Sequence, residues 1–287
     1  MMIVSWLFYR KGYHMSVIIN KKHMCVVTVS VVLAFVLCAF RIYLLRNYVE
    51  PETGYYVPGT NLGTIFGVAF LLVLAVIAVG AKYSKVKIPE SLSSESTAVV
   101  FSSSLCGFLF VTVLVCGVYQ FVTLKNTGAF RAVELLVCIP CVFSFYCICV
   151  KENRERNIKN LVFALCPALF YGVRTIHMFT DTHTQINASQ RSLSLVMLCS
   201  MMLLFIQEAY FLIPKHEKAE SDKEKKSVAF KYAAITLIVM TLALTAALPY
   251  IAVSAFWMFE SDFLVMDVLD LCIGVYALTR AAALCRQ

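Results

Sequence analysis

Long apolar runs alternate with short polar segments along the whole chain, and their length is the first informative quantity. A hydrocarbon layer about 30 Å thick takes about 20 helical residues at about 1.5 Å each. Seven runs reach that length plainly: 24–45, 62–81, 98–118, 132–150, 161–179, 193–213 and 233–253. An eighth, 263–279, contains Asp267 and Asp270, each costing up to about 2.5–3.5 kcal/mol at a helix centre. Its Leu, Ile, Val and Phe positions return only about 0.3–0.6 kcal/mol each. That run therefore crosses only with polar partners on other helices. The pattern predicts an all-α, polytopic transmembrane helix bundle of eight spans, with seven as the alternative.

The segments divide as a cytoplasmic N-terminal part (1–23), four spans (24–150), a cytoplasmic loop (151–160), and four more spans with a short cytoplasmic tail (161–287). In the first part, MMIVSWLFY followed by Arg10, Lys11, Lys21 and Lys22 has two readings. It is either an interfacial anchor with Trp6 at headgroup level, or an over-long start with Met15 or Met24 the true beginning. The run from Met24 is longer than the roughly 7–15 apolar residues of a signal peptide, so it reads as an uncleaved first span.

Composition agrees with a bilayer as solvent: 60% of the residues are hydrophobic, 15% are charged and the mean hydropathy is +0.79. One soluble core cannot hide so much apolar surface. The net charge of +8 is spread over the connecting segments and forms no basic face, so it argues for membrane topology and against a nucleic-acid partner. Of the 25 Lys and Arg residues, only Arg41, Arg46, Lys125, Arg131, Arg174 and Arg191 fall on the second side of an eight-span arrangement. The positive-inside rule places the other side, with both termini, in the cytoplasm of a cell-membrane protein. Eleven of the 12 cysteines lie inside apolar runs and Cys285 lies in the tail, which excludes an extracellular disulfide framework.

Lesser features read as structure. KHEKAESDKEKK, residues 215–226, is a solvated helical extension, and the SLSSES stretch of the second loop is a flexible linker. Asn187-Ala188-Ser189 matches an N-glycosylation acceptor. Gly63 and Gly67 form a GxxxG helix-packing motif, and Pro140, Pro167 and Pro249 can bend their spans.

Ionisable residues inside a span are costly, so each is a candidate for function. Arg41, Glu134, Arg174, His177, Asp267 and Asp270 all fall in the outer leaflet. Arg174 and His177 are three residues apart, as are Asp267 and Asp270, so each pair shares a helix face. An ion pair between Arg174 and one of the aspartates would either lock the fifth span to the eighth or serve a ligand or proton. Glu208 has no basic residue placed at its depth and is expected to snorkel to the interface. Cys138-Ile139-Pro140-Cys141 is a C-x-x-C whose spacing can close into a redox disulfide, although it lacks the βαβ setting of a thiol oxidoreductase. No HExxH, G-x-S-x-G or P-loop occurs, and no cofactor or metal is expected.

Arg41 is followed in the next outer loop by Glu50-Pro51-Glu52-Thr53, and Arg174 by Asp181-Thr182-His183-Thr184. Glu134, and Asp267 with Asp270, then occupy the fourth span of each half. This order predicts two parallel four-helix halves with Arg41 and Arg174 equivalent. The stretch RIYLLRNYVEPETG, with Glu50-Pro51-Glu52-Thr53-Gly54-Tyr55 after an arginine that closes the first span, resembles a pattern in uncharacterised multi-pass membrane proteins of anaerobic Gram-positive bacteria. The resemblance implies a bacterial cytoplasmic membrane and no particular chemistry. The first expectation is a non-catalytic sensor, assembly or accessory protein acting with a membrane-protein partner. A small-solute or proton-coupled transporter and a membrane thiol oxidoreductase are the alternatives.

Overall fold

In the computed structural model the described residues of the chain form a bundle of eight helices. The residues it describes are 20–49, 56, 57, 59, 61–84, 86, 96–123, 128–149, 158–180, 188–211, 222–257 and 264–285. The helices are α1 Lys21–Asn47, α2 Leu62–Tyr83, α3 Thr97–Thr123, α4 Ala129–Cys149, α5 Ile158–Thr180, α6 Ala188–Phe211, α7 Asp222–Trp257 and α8 Leu264–Ala283. Helices are the expected outcome for such runs, because lipid offers no partner to an unpaired backbone N–H or C=O.

Among the described residues seven helices, α1 to α7, are long and apolar enough to cross a membrane. The eighth, with Asp267, Asp270 and Arg280, is the polar one, yet its 20 residues span about 30 Å. Its position settles its direction within the bundle. The Asn20 amide donates to the Cys285 carbonyl at 2.9 Å, and His23 Nε2 lies 3.1 Å from the Ala281 carbonyl. The start of α1 and the end of α8 therefore sit side by side. An even number of antiparallel helices brings the two ends together in this way, which an odd number would not.

Helices α3 to α8 close into a ring in chain order, with α8 packed back onto α3. Outside it, α1 packs along α7, and α2 covers α1 and α7. Phe110, Phe145, Phe170, Tyr171, Phe205 and Tyr276 fill the middle of the ring, buried and in mutual edge or stacked contact. Large apolar residues such as Phe35, Leu71, Phe101, Val115 and Leu169 point outward instead, where lipid tails solvate them.

This packing does not repeat between the two halves of the chain. If spans one to four corresponded to five to eight, the seam between α1 and α7 would have a counterpart between α5 and α3, and that between α3 and α8 one between α7 and α4. Neither counterpart is a packed seam among the described residues.

The glycines also act differently from their motif. A methyl on Gly63 would meet the ring of Tyr56 at 2.8 Å, and one on Gly67 would meet nothing within 4 Å. The GxxxG of α2 thus seats an aromatic ring and does not bring a second helix close. A tight helix approach is at Gly274 of α8 instead, where an added methyl would overlap the Ala243 side chain of α7. Gly274→Ala is therefore expected to cost about 1–3 kcal/mol by overpacking. Gly67→Ala should leave thermal unfolding in detergent unchanged, and equal effects of the two would refute this assignment.

Pro140, Pro167 and Pro249 lie within α4, α5 and α7 without ending them. The charged extension expected before the seventh span is helical from Asp222. Residues 1–19, most of SLSSES, Glu50 to Tyr55, Asp181 to Asn187 and residues 215–221 lie outside the described set.

Candidate functional site

Five of the six ionisable candidates come together across α4, α5 and α8. One helix turn separates Arg174 from His177, so α5 offers both from one face. Arg174 Nη1 lies 2.6 Å from Asp270 Oδ1, and the Tyr171 hydroxyl donates to the same oxygen at 3.3 Å. His177 Nδ1 lies 2.7 Å from Glu134 Oε1, and its ring stacks on Phe130. Arg131 donates to Glu134 Oε2 and to Gln120 Oε1, both at 3.1 Å, which ties α4 to α3. Glu134 also lies within the field of Arg174, so the three ion pairs form one network over four helices.

Asp270 is fully buried, and its Oδ2 has no hydrogen-bond partner among the described residues. Asp267, one turn nearer the start of α8, is half-buried and lies within the field of Arg174. Arg41 stands apart from this network in its described contacts. It donates to the Tyr56 hydroxyl, and its guanidinium lies 5.8 Å from the Tyr56 ring centre and 5.3 Å from that of Phe66. Such geometry gives cation–π attraction and clamps α1 to α2.

A second polar cluster lies toward the other end of the bundle, and sequence reasoning missed it. Glu208 of α6 is 3% exposed. The Tyr232 hydroxyl donates to its Oε1 at 2.9 Å, the Tyr276 hydroxyl to its Oε2 at 2.9 Å, and Arg280 Nε lies 3.3 Å from Oε1. Glu208 therefore does not snorkel. Arg280, assigned to the tail, is a buried residue of α8 whose Nε also donates to the Tyr276 hydroxyl at 2.9 Å. The signal was present in the sequence: Glu208 comes near the end of one span and Arg280 near the end of another that runs the same way, so their depths match.

A stack of three rings lies between the clusters. Tyr171 and Phe205 are 5.9 Å apart and nearly parallel at 7°, and Phe205 and Tyr276 are 6.4 Å apart at 15°. Tyr171 touches Asp270 at one end, and Tyr276 touches Glu208 at the other.

Cys138 and Cys141 are both fully buried and carry no disulfide. A thiol that attacks a substrate must be reachable, and these two lie inside the packed core. Among the described residues no group of three or more His, Cys, Asp or Glu is placed to hold a metal ion. Ser102 contacts Thr279 at 2.8 Å, a pair of hydroxyls with no base beside them in the described contacts. Among the described residues the geometry thus offers buried ion pairs and one unpartnered carboxylate oxygen, and no assembled nucleophile and base. Comparison of the chain with protein-family models, with curated proteins and with solved structures finds no match.

Proposed function

We propose that this chain is a multi-pass protein of the cell membrane, with both ends in the cytoplasm, that works without catalysis as a sensor, assembly or accessory component beside a membrane-protein partner. The observation that carries this reading is how the intramembrane charges are used. Arg174 with Asp270, His177 and Arg131 with Glu134, and Arg280 with Glu208 are spent on one another. Aromatic rings occupy the middle depth, where a transport path would run. Transporters place their binding sites at that depth, between elements that open alternately. The distribution of Lys and Arg supports the orientation. The likeness of residues 41–55 to membrane proteins of anaerobic Gram-positive bacteria supports a bacterial cytoplasmic membrane.

One observation favours a second reading, proton-coupled or small-solute transport: the buried Asp270 Oδ2 has no partner among the described residues and is a place for a proton or a donor group. Proteoliposomes with a pH-sensitive dye inside distinguish the two readings. Under an imposed pH gradient and membrane potential, the accessory reading expects proton entry no faster than in protein-free vesicles. Entry above that level, abolished by Asp270→Asn, would overturn it in favour of transport.

A further inference from the structure

Away from both charge clusters, α1 and α2 enclose a groove of about 340 Å³. Val26, Val29, Val76 and Gly80 form its walls, with Lys22 and Tyr83 at its polar end. The walls are held in place by packing. A methyl added to Gly80 would come within 3.1 Å of Val26, so the helices meet there. The Asn20 side-chain amide also donates to the Ser84 carbonyl at 2.9 Å, which fastens the start of α1 to the end of α2.

Val29 and Val76 are about half exposed and face outward. In a helix that crosses a membrane, the medium against such a surface is acyl chain. The polar end is positive: Lys22 lines it, Lys21 precedes it at the start of α1, and both are exposed. Neither helix contains an Asp or Glu. Lys21 and Lys22 gain nothing from the α1 dipole, whose N-terminal end is itself positive. Their charge is unanswered by either helix and stands above an apolar groove.

We infer that this groove binds an anionic phospholipid, with one acyl chain along Val26, Val29 and Val76 and the phosphate at Lys22, the lysine of the groove's lining, with Lys21 next to it in the chain. Basic pockets between membrane helices recognise anionic headgroups, at about 1 kcal/mol per Lys near the surface. Tyr83 places its ring at the same headgroup level. The assignment is independent of whether the protein is an accessory component or a transporter.

Native mass spectrometry of the full chain tests it, with equal amounts of phosphatidylglycerol and phosphatidylcholine of the same acyl chains added in mild detergent. The expected result is retention of phosphatidylglycerol over phosphatidylcholine. The double variant Lys21→Gln/Lys22→Gln should lose that preference by about tenfold or more. Val29→Trp, which fills the groove and keeps the lysines, should lower adducts of both lipids, with the unfolding temperature as a control for intact structure. Equal retention of the two lipids, or a preference untouched by the lysine variant, would overturn the proposal. A dimer peak that replaces lipid adducts and disappears in Val29→Trp would assign the groove to a second copy of the chain, and overturn it equally.

Discussion

Arg174→Leu is expected to destabilise the bundle by about 3–5 kcal/mol, the usual cost of removing one partner from a buried ion pair. Asp270 would be left fully buried with only the long Tyr171 hydrogen bond on Oδ1 and nothing among the described residues on Oδ2. Asp270→Leu should cost less. Arg174 would keep the fields of Glu134 and Asp267, which lie close enough to act on it. The double variant Arg174→Leu/Asp270→Leu should recover most of the loss, since replacing a whole buried pair with apolar side chains is often close to neutral. The measurement is reversible unfolding of the four proteins in lipid–detergent micelles. A loss under about 1 kcal/mol for Arg174→Leu would mean that the pair does not hold α5 to α8.

The same series separates structure from ligand binding at this site. A pair that only fastens two helices can be exchanged for leucines without further effect. If a proton or solute uses the carboxylate, the double variant would be stable and yet inactive in the vesicle assay. Stability and activity therefore respond differently to one pair of substitutions, which makes the role of Asp270 decidable.

The helices were legible because bilayer thickness converts apolar run length into spans with few alternatives. The pairing of Arg174 with Asp270 was legible for a related reason. The two residues lie at one depth on helices that run in opposite directions, and an unpaired charge at that depth is costly. Which aspartate would pair was not legible, since Asp267 and Asp270 share a face and only the rotation of α8 in the bundle chooses between them. Arg280 was hidden by a boundary: the apolar run stops at Thr279, but the helix continues to Ala283. With Arg280 placed outside, Glu208 had no partner, and snorkelling followed as the reading. The contact between α1 and α7 was illegible for another reason. Lipid tails are as apolar as Leu, so lipid-facing and helix-facing surfaces of a span differ little in composition.

Glu208→Leu should be the most damaging single change in the second cluster, at about 3–5 kcal/mol from the ion pair alone. Three donors converge on this one carboxylate: Arg280, Tyr232 and Tyr276. Removing it leaves a guanidinium and two buried hydroxyls to find other acceptors, and each unsatisfied hydroxyl adds about 1–3 kcal/mol. Glu208→Gln keeps an acceptor oxygen for the tyrosines while removing the charge, so it should recover part of the loss. Arg280→Leu should be milder than Glu208→Leu, because both tyrosines keep their carboxylate. A side chain that merely snorkelled would tolerate all of these changes within about 0.5 kcal/mol. Unfolding measurements on the three variants give that choice directly, and an effect of Glu208→Leu that small would return Glu208 to the interface. The size of the effect matters beyond α6. Arg280 and Asp270 lie on one helix, about 15 Å apart, and Tyr171, Phe205 and Tyr276 stack between their partners. A loss at Glu208 that also weakens the response to Arg174→Leu would show that α8 and this stack join the two clusters into one unit. Strictly additive losses would show two separate locks.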